Sequence, residues 1–200
     1  MKYYLKQTFI PVMYLIFMTM IAFSILLIGD DLMWLKIVLL LLNIALYCSL
    51  VGAISYKEGE FALTTRVAND VERRNIIRTG EDLPLKLHEE YKVWKGFFFG
   101  FLACVPLIVM MIIHTILYFA MGPQYDVCGR VSSFIYMAFA SLAQISSEVE
   151  IQQWHYYFTL ISVPIIMITT GVPYIFGARK IQRQQDRIKE KHRQIYGEDD

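Results

Sequence analysis

Charge is missing from four long stretches of this 200-residue chain, and that absence decides its class. Residues 9–28 carry no charged side chain, residues 34–55 only Lys36, residues 96–121 at most a charge on His114, and residues 156–177 none. Crossing the roughly 30 Å hydrocarbon core of a bilayer takes about 20 apolar residues of helix. Each run is long enough. With 56% hydrophobic residues and a mean hydropathy of +0.43, the chain is too apolar for a water-soluble domain and reads as a multi-span membrane protein.

Other scarcities narrow its function. Three cysteines do not make a disulfide framework. Cys48 and Cys104 fall at similar depth on consecutive runs, but two sulfurs without a third or fourth ligand read as small apolar fillers, not as a redox or soft-metal pair. No Asp, Glu, Lys or Arg lies deep in any run, which argues against a charge-coupled pump or a voltage sensor. There is no HExxH, no serine-centred elbow and no pair of intramembrane carboxylates, so nothing implies an enzyme, a cofactor or a metal. The basic tail lacks the aromatic interleaving of a nucleic-acid surface. The first run is too long for a signal-peptide core and ends without a small-x-small site, so it is expected to be a retained anchor. No lipid-attachment motif is present.

What charge there is lies between the runs. Residues 57–95 carry eight Lys/Arg and eight Asp/Glu, and residues 179–193 carry seven Lys/Arg against Asp186 and Glu190. The connection after the first run has Asp30 and Asp31; that between the third and fourth has Arg130 against Asp126, Glu148 and Glu150. Because cytoplasmic flanks collect Lys and Arg, the expected protein is multi-pass in the cell membrane with both termini cytoplasmic. Trp34, Trp94 and Trp154 fall at run ends, where an amphipathic ring prefers the headgroup region.

The expected fold is all-α and polytopic, with four transmembrane helices in two hairpins. Residues 1–56 form the first hairpin, 57–95 a cytoplasmic helical loop, 96–177 the second hairpin, and 178–200 a basic cytoplasmic helical tail. Apolar spacing predicts one loop helix over 59–79 stopped by Gly80, and a second starting at Pro84 that continues into the third span, the two packing as a helical hairpin. Within 131–149, Val131, Phe134, Ala138, Leu142, Ile145 and Val149 make one apolar stripe, with Ser132, Ser133, Tyr136, Gln144 and Ser147 off it. That pattern predicts an amphipathic helix lying on the outer interface or capping the bundle, with a shallow re-entrant loop as the less favoured alternative; its apolar core is too short for a fifth span. The tail should stay helical to Tyr196 and end at Gly197. Ile181, Ile188 and Ile195 recur every seven residues, which is half of a coiled-coil seam.

Polar groups inside spans are the usual entry to function. Asn43 and His114 lie at similar depth, close enough for a hydrogen bond between neighbouring helices, with Tyr118 one turn beyond His114. Small residues suggest close helix contacts: Gly96, Gly100 and Ala103 on the third span, and Ala45, Ser49 and Ala53 on the second. Pro106 and Pro164 should bend the two later spans. These features favour a small membrane scaffold or accessory subunit that works through helix packing and its cytoplasmic helices. The alternative is a small oligomeric transporter or channel with a polar path near Asn43 and His114. The implied partners are the bilayer, anionic headgroups at the basic tail, and a protein partner or a second copy; nothing points to nucleic acid.

Overall fold

The computed structural model describes residues 2–80, 85–122, 124–141 and 156–196, and these are helices and short connections with no strand among them. The elements are α1 (Lys2–Leu26), a 3-10 turn (Asp30–Leu32), α2 (Met33–Thr79), α3 (Lys95–Met121), α4 (Val127–Ile135), α5 (Met137–Ala140), a 3-10 turn (Phe158–Ile161) and α6 (Ser162–Tyr196). Four stretches, Tyr3–Leu26, Met33–Thr79, Lys95–Met121 and Phe158–Ile195, are long and apolar enough to cross a membrane. Their outward side chains agree with that: Phe17, Leu42, Ile116 and Ile168 are among many large apolar groups left exposed around the bundle. Soluble monomers rarely show so continuous an apolar surface.

The bundle has two ends. The start of α1, the ends of α2 and α6 and the start of α3 lie at one, here the tail end; residues 29–32 and the end of α3 lie at the other, the turn end. α1 and α2 run in opposite directions, with the Tyr3 hydroxyl donating to Glu58 near the tail end and the Asn43 amide donating to the Met18 carbonyl nearer the turn end. α2 and α6 run in the same direction. Cys48 lies beside Thr169, Gly52 beside Pro173, and Glu60 beside Lys180.

Glycine makes the α2–α6 contact possible. A Cβ on Gly59 would fall 1.9 Å from the Tyr174 carbonyl oxygen, and one on Gly177 would fall 1.9 Å from that of Tyr56. The two backbones therefore touch directly. α3 reaches α6 in a similar way: a Cβ on Gly100 would meet Thr170 Oγ1 at 2.3 Å, and one on Gly96 would meet the Tyr174 side chain at 2.7 Å. Ala103 is buried one turn further along α3. Ala45, Ser49 and Ala53 behave differently. All three are exposed on the outside of α2, so this stripe is not a packing face within the chain.

Three boundaries differ from expectation. α2 is a single helix of 47 residues, running through the 56/57 boundary with no separate start near Gly59. The sequence turns from apolar to charged there, but it has no proline, and a change of solvent does not end a helix. Gly80 does end it, in the left-handed region at φ 73° with its N–H on the Ile76 carbonyl. α3 starts at Lys95, and the described residues before it, 85–94, are turns and irregular chain. Their polar groups are satisfied from outside any helix. Tyr91 N–H donates to the Ala62 carbonyl, Lys86 N–H to Asn69 Oδ1, and the buried Lys95 ammonium to the His88 and Glu90 carbonyls. Glu90 accepts from Asn69 Nδ2 at 2.8 Å and from Arg73 at 2.7 Å. The expected pair of loop helices is thus one helix with a strap folded over it. Finally, Pro164 sits in the first turn of α6, where no helical donor is lost, while Pro106 lies inside α3. Pro84, residues 142–149, Trp154 and Gly197 lie outside the described residues.

Candidate functional site

The most polar part of the interior is built around α4 and α5, and it reverses the expected placement of this segment. Ser132, Ser133, Tyr136 and Ala138 are buried, whereas Val127, Val131 and Phe134 face outward. The described part of the amphipathic stretch is therefore not laid across the end of the bundle with its polar side out. It is wedged among α1, α2 and α3 with its polar side in. Hydrogen bonds tie this side to the bundle at two points, Tyr136 to α3 and Thr19 of α1 to the end of α4, while Ser132 bonds within its own helix. The Ser132 hydroxyl donates to the Cys128 carbonyl (2.8 Å), Thr19 of α1 donates to the Ile135 carbonyl (2.8 Å), and the Tyr136 hydroxyl donates to the Ala103 carbonyl (3.0 Å).

Tyr136 marks both a break and a depth. It separates α4 from α5, and its ring reaches into α3 beside Pro106, where the helical ladder is already interrupted. Ala103 is closer to the tail end of α3 than to its turn end. Phe139, three residues on, packs edge-to-face on Tyr47 in the middle of α2 (5.6 Å between centroids). With Met18, Leu107 and Ile166, these rings fill the centre of the bundle.

The expected polar pair does not form. Asn43 is 4% exposed, and its Nδ2 donates to the Met18 carbonyl of α1 at 3.1 Å, while Oδ1 has no partner. His114 is 0% exposed, and neither ring nitrogen has a hydrogen-bond partner. It faces α4 instead: a Cβ on Gly129 would lie 2.9 Å from the imidazole, and the Tyr156 ring stands edge-on at 5.2 Å. Equal depth puts two residues at one level, but not on one face. Tyr118 lies a turn beyond, half-buried, against Phe119 at 5.5 Å.

Around His114 lies a group that the sequence alone does not single out. Asp126 accepts from Arg130 Nε at 2.8 Å and from the Tyr156 hydroxyl at 3.0 Å, and Thr115 shares a hydrogen bond with Tyr157 at 2.9 Å. The Arg130 hydrogen bond is the main influence holding the Asp126 carboxyl below the usual carboxylate range, and Tyr156 adds to it. Burial, then the Asp126 contact, pushes the Tyr156 hydroxyl up. The i,i+4 spacing of Asp126 and Arg130 is the one visible signal. Ser133 Oγ is buried without a partner.

The layer leaves Ser133 Oγ and both His114 ring nitrogens without hydrogen-bond partners. Ser133 has no base in contact, and among the described residues no group of three or more His, Cys, Asp or Glu could hold a metal. Cys48 accepts from the Thr169 hydroxyl at 3.4 Å, and Cys104 is buried in the core. A small cavity of about 10 Å³ nearer the tail end is lined by Gln7, Ser55, Glu58 and Thr170 among others. No family model, no curated protein and no solved structure matches the chain.

Proposed function

We propose that this chain is an integral scaffold or accessory subunit of the cell membrane, with both termini and the α2–α3 connection cytoplasmic. The observation that carries the reading is the length of α2 and α6. Both continue past the apolar zone as unbroken helices, and both display apolar side chains there. Ile77 is 84% exposed, and on α6 Ile188 and Ile195, seven residues apart, are 66% and 71% exposed. An apolar line on a solvated helix suits a partner helix laid along it. The filled centre of the bundle supports a packing role over a conducting one.

A photo-crosslinking residue at Ile188 or Ile195, in native membranes, is expected to give one adduct of fixed size, lost on Ile188→Glu. Absence of any adduct at either position would remove the support for a partner helix. A cysteine placed at Lys191 should resist impermeant labelling on intact cells; labelling there would reverse the orientation. The transport reading keeps one supporting observation, the unpartnered polar atoms of His114, Ser133 and Asn43. Solute uptake by vesicles containing only this protein, reduced by His114→Leu, would put it first.

A further inference from the structure

Where α6 leaves the apolar zone, it forms one wall of an open groove of about 510 Å³, with Tyr56 of α2 opposite. That volume is within the ~300–1,000 Å³ range of small-ligand sites. Its lining is strongly basic: Arg179, Lys180, Arg183 and Arg187, beside Phe176. Among the described residues, Lys180 alone of these has an acidic partner, Glu60 at 2.6 Å, and its ammonium also lies over the Tyr56 ring. None of the three guanidiniums has a carboxylate at ion-pair distance among the described residues. Arg179 lies over the Phe176 ring at 5.9 Å, which holds it at the level of the last outward aromatic of the apolar belt. Arg183 and Arg187 follow at one-turn intervals, roughly 6 and 12 Å further along the helix axis.

We propose that this groove binds a membrane lipid whose headgroup carries two or more phosphates. Guanidinium groups bind phosphate oxygens through paired hydrogen bonds, and three of them in line select for clustered phosphates over a single charge. A phosphodiester headgroup lies in the plane of Arg179. Only a headgroup with further phosphates extends along the helix to Arg183 and Arg187. The exposed Phe176 sits where the acyl chains of such a lipid would emerge. This differs from a general basic bias at the cytoplasmic face, which requires charge but no alignment.

The test uses the full-length protein in nanodiscs, which expose both faces and make the result independent of orientation. The probes are phosphatidylinositol bisphosphate and phosphatidylserine at matched charge, with inositol trisphosphate as a soluble competitor. Saturable binding of the bisphosphate lipid, at least tenfold tighter than phosphatidylserine, is expected. Arg183→Gln with Arg187→Gln should weaken it tenfold or more, whereas Lys189→Gln with Lys191→Gln, an equal loss of charge outside the groove, should change it less than twofold. Equal losses in the two double variants would reduce the effect to bulk charge and overturn the proposal. Binding of inositol trisphosphate as tight as that of the lipid would overturn the lipid source and leave a soluble polyphosphate as the ligand. All four positions are solvent-exposed on α6, so unchanged melting is expected and checks that each variant is folded.

Discussion

The α2–α6 contact and the α4–α5 wedge bury comparable positions by opposite means. Along α2 and α6, glycine removes side chains until the backbones meet. In the wedge, polar side chains enter the core and hydrogen-bond to neighbouring backbones, and several atoms are left over. A seam of the first kind fails when anything is added. A wedge of the second kind weakens when a hydroxyl is removed, and it can change with pH. Shape holds one and hydrogen bonding the other.

The largest effect should come from filling the seam. Gly59→Leu places a side chain where the Tyr174 backbone already is, and overpacking against backbone is expected to cost about 3 kcal/mol or more, read as the unfolding midpoint in mixed detergent. Gly100→Leu should have nearly as large an effect, because its neighbours, Thr170 and Met167, belong to the same chain; wild-type melting of both variants would sink the backbone-contact account. Gly29, with nothing within 4 Å of an added Cβ, is the control. Next is Tyr136→Phe, which removes only the hydroxyl beside Ala103. A loss of about 1 kcal/mol is expected, as for other hydrogen bonds within membranes. A neutral result would mean that the wedge is held by ring packing alone.

A smaller effect is expected from acid. Asp126 has a folded pKa below its ordinary value, so its contribution is present above the ordinary carboxylate range and is lost as pH falls through the lowered value. Wild type should therefore be more stable than Asp126→Asn at pH 7, and the difference should close at low pH. A difference that stayed constant with pH would assign the effect to shape, not charge. The smallest effect belongs to Ser49→Leu. Ser49 is exposed and donates only to the Ala45 carbonyl of its own helix, so a change within about 0.5 kcal/mol is expected. A large loss, or a change of oligomeric state, would show that the outward stripe is covered in the native assembly.

The four apolar helices were legible because nothing interrupts their hydropathy, and the helical tail was legible because no breaker precedes Gly197. The continuity of α2 was not, since the eye takes the change from apolar to charged at Lys57 for an end. The start of α3 was hidden for a related reason. Residues 85–94 have helical spacing, but Asn69 and Ala62 of α2, together with the side chain of Lys95, supply hydrogen bonds in place of those of a helix. For the wedge, periodicity separated Val131 and Phe134 from Ser132, Ser133 and Tyr136 but assigned them to the wrong sides, and it misplaced Ala138, which lies past the break at Tyr136 and is buried. In water the apolar face is the inner one. In an apolar surrounding, Val131 and Phe134 can face out, and Tyr136 is better inside, where the Ala103 carbonyl accepts its hydrogen bond. The absence of an Asn43–His114 bond has the same origin, because the α4 face that meets His114 was assigned elsewhere.

One consequence of the uninterrupted α2 concerns mechanics. From Tyr56 to Thr79 the helix continues for about 36 Å beyond its apolar part, with no proline and no hinge. The close contact of Gly59 with Tyr174 of α6 lies at the base of this stretch. A tilt of about 5° at that point would carry the Gly80 end sideways by about 3 Å, and would turn Asn43 and Tyr47 on the other arm in the opposite direction. Force applied at one end of this rod is delivered at the other without a joint to absorb it.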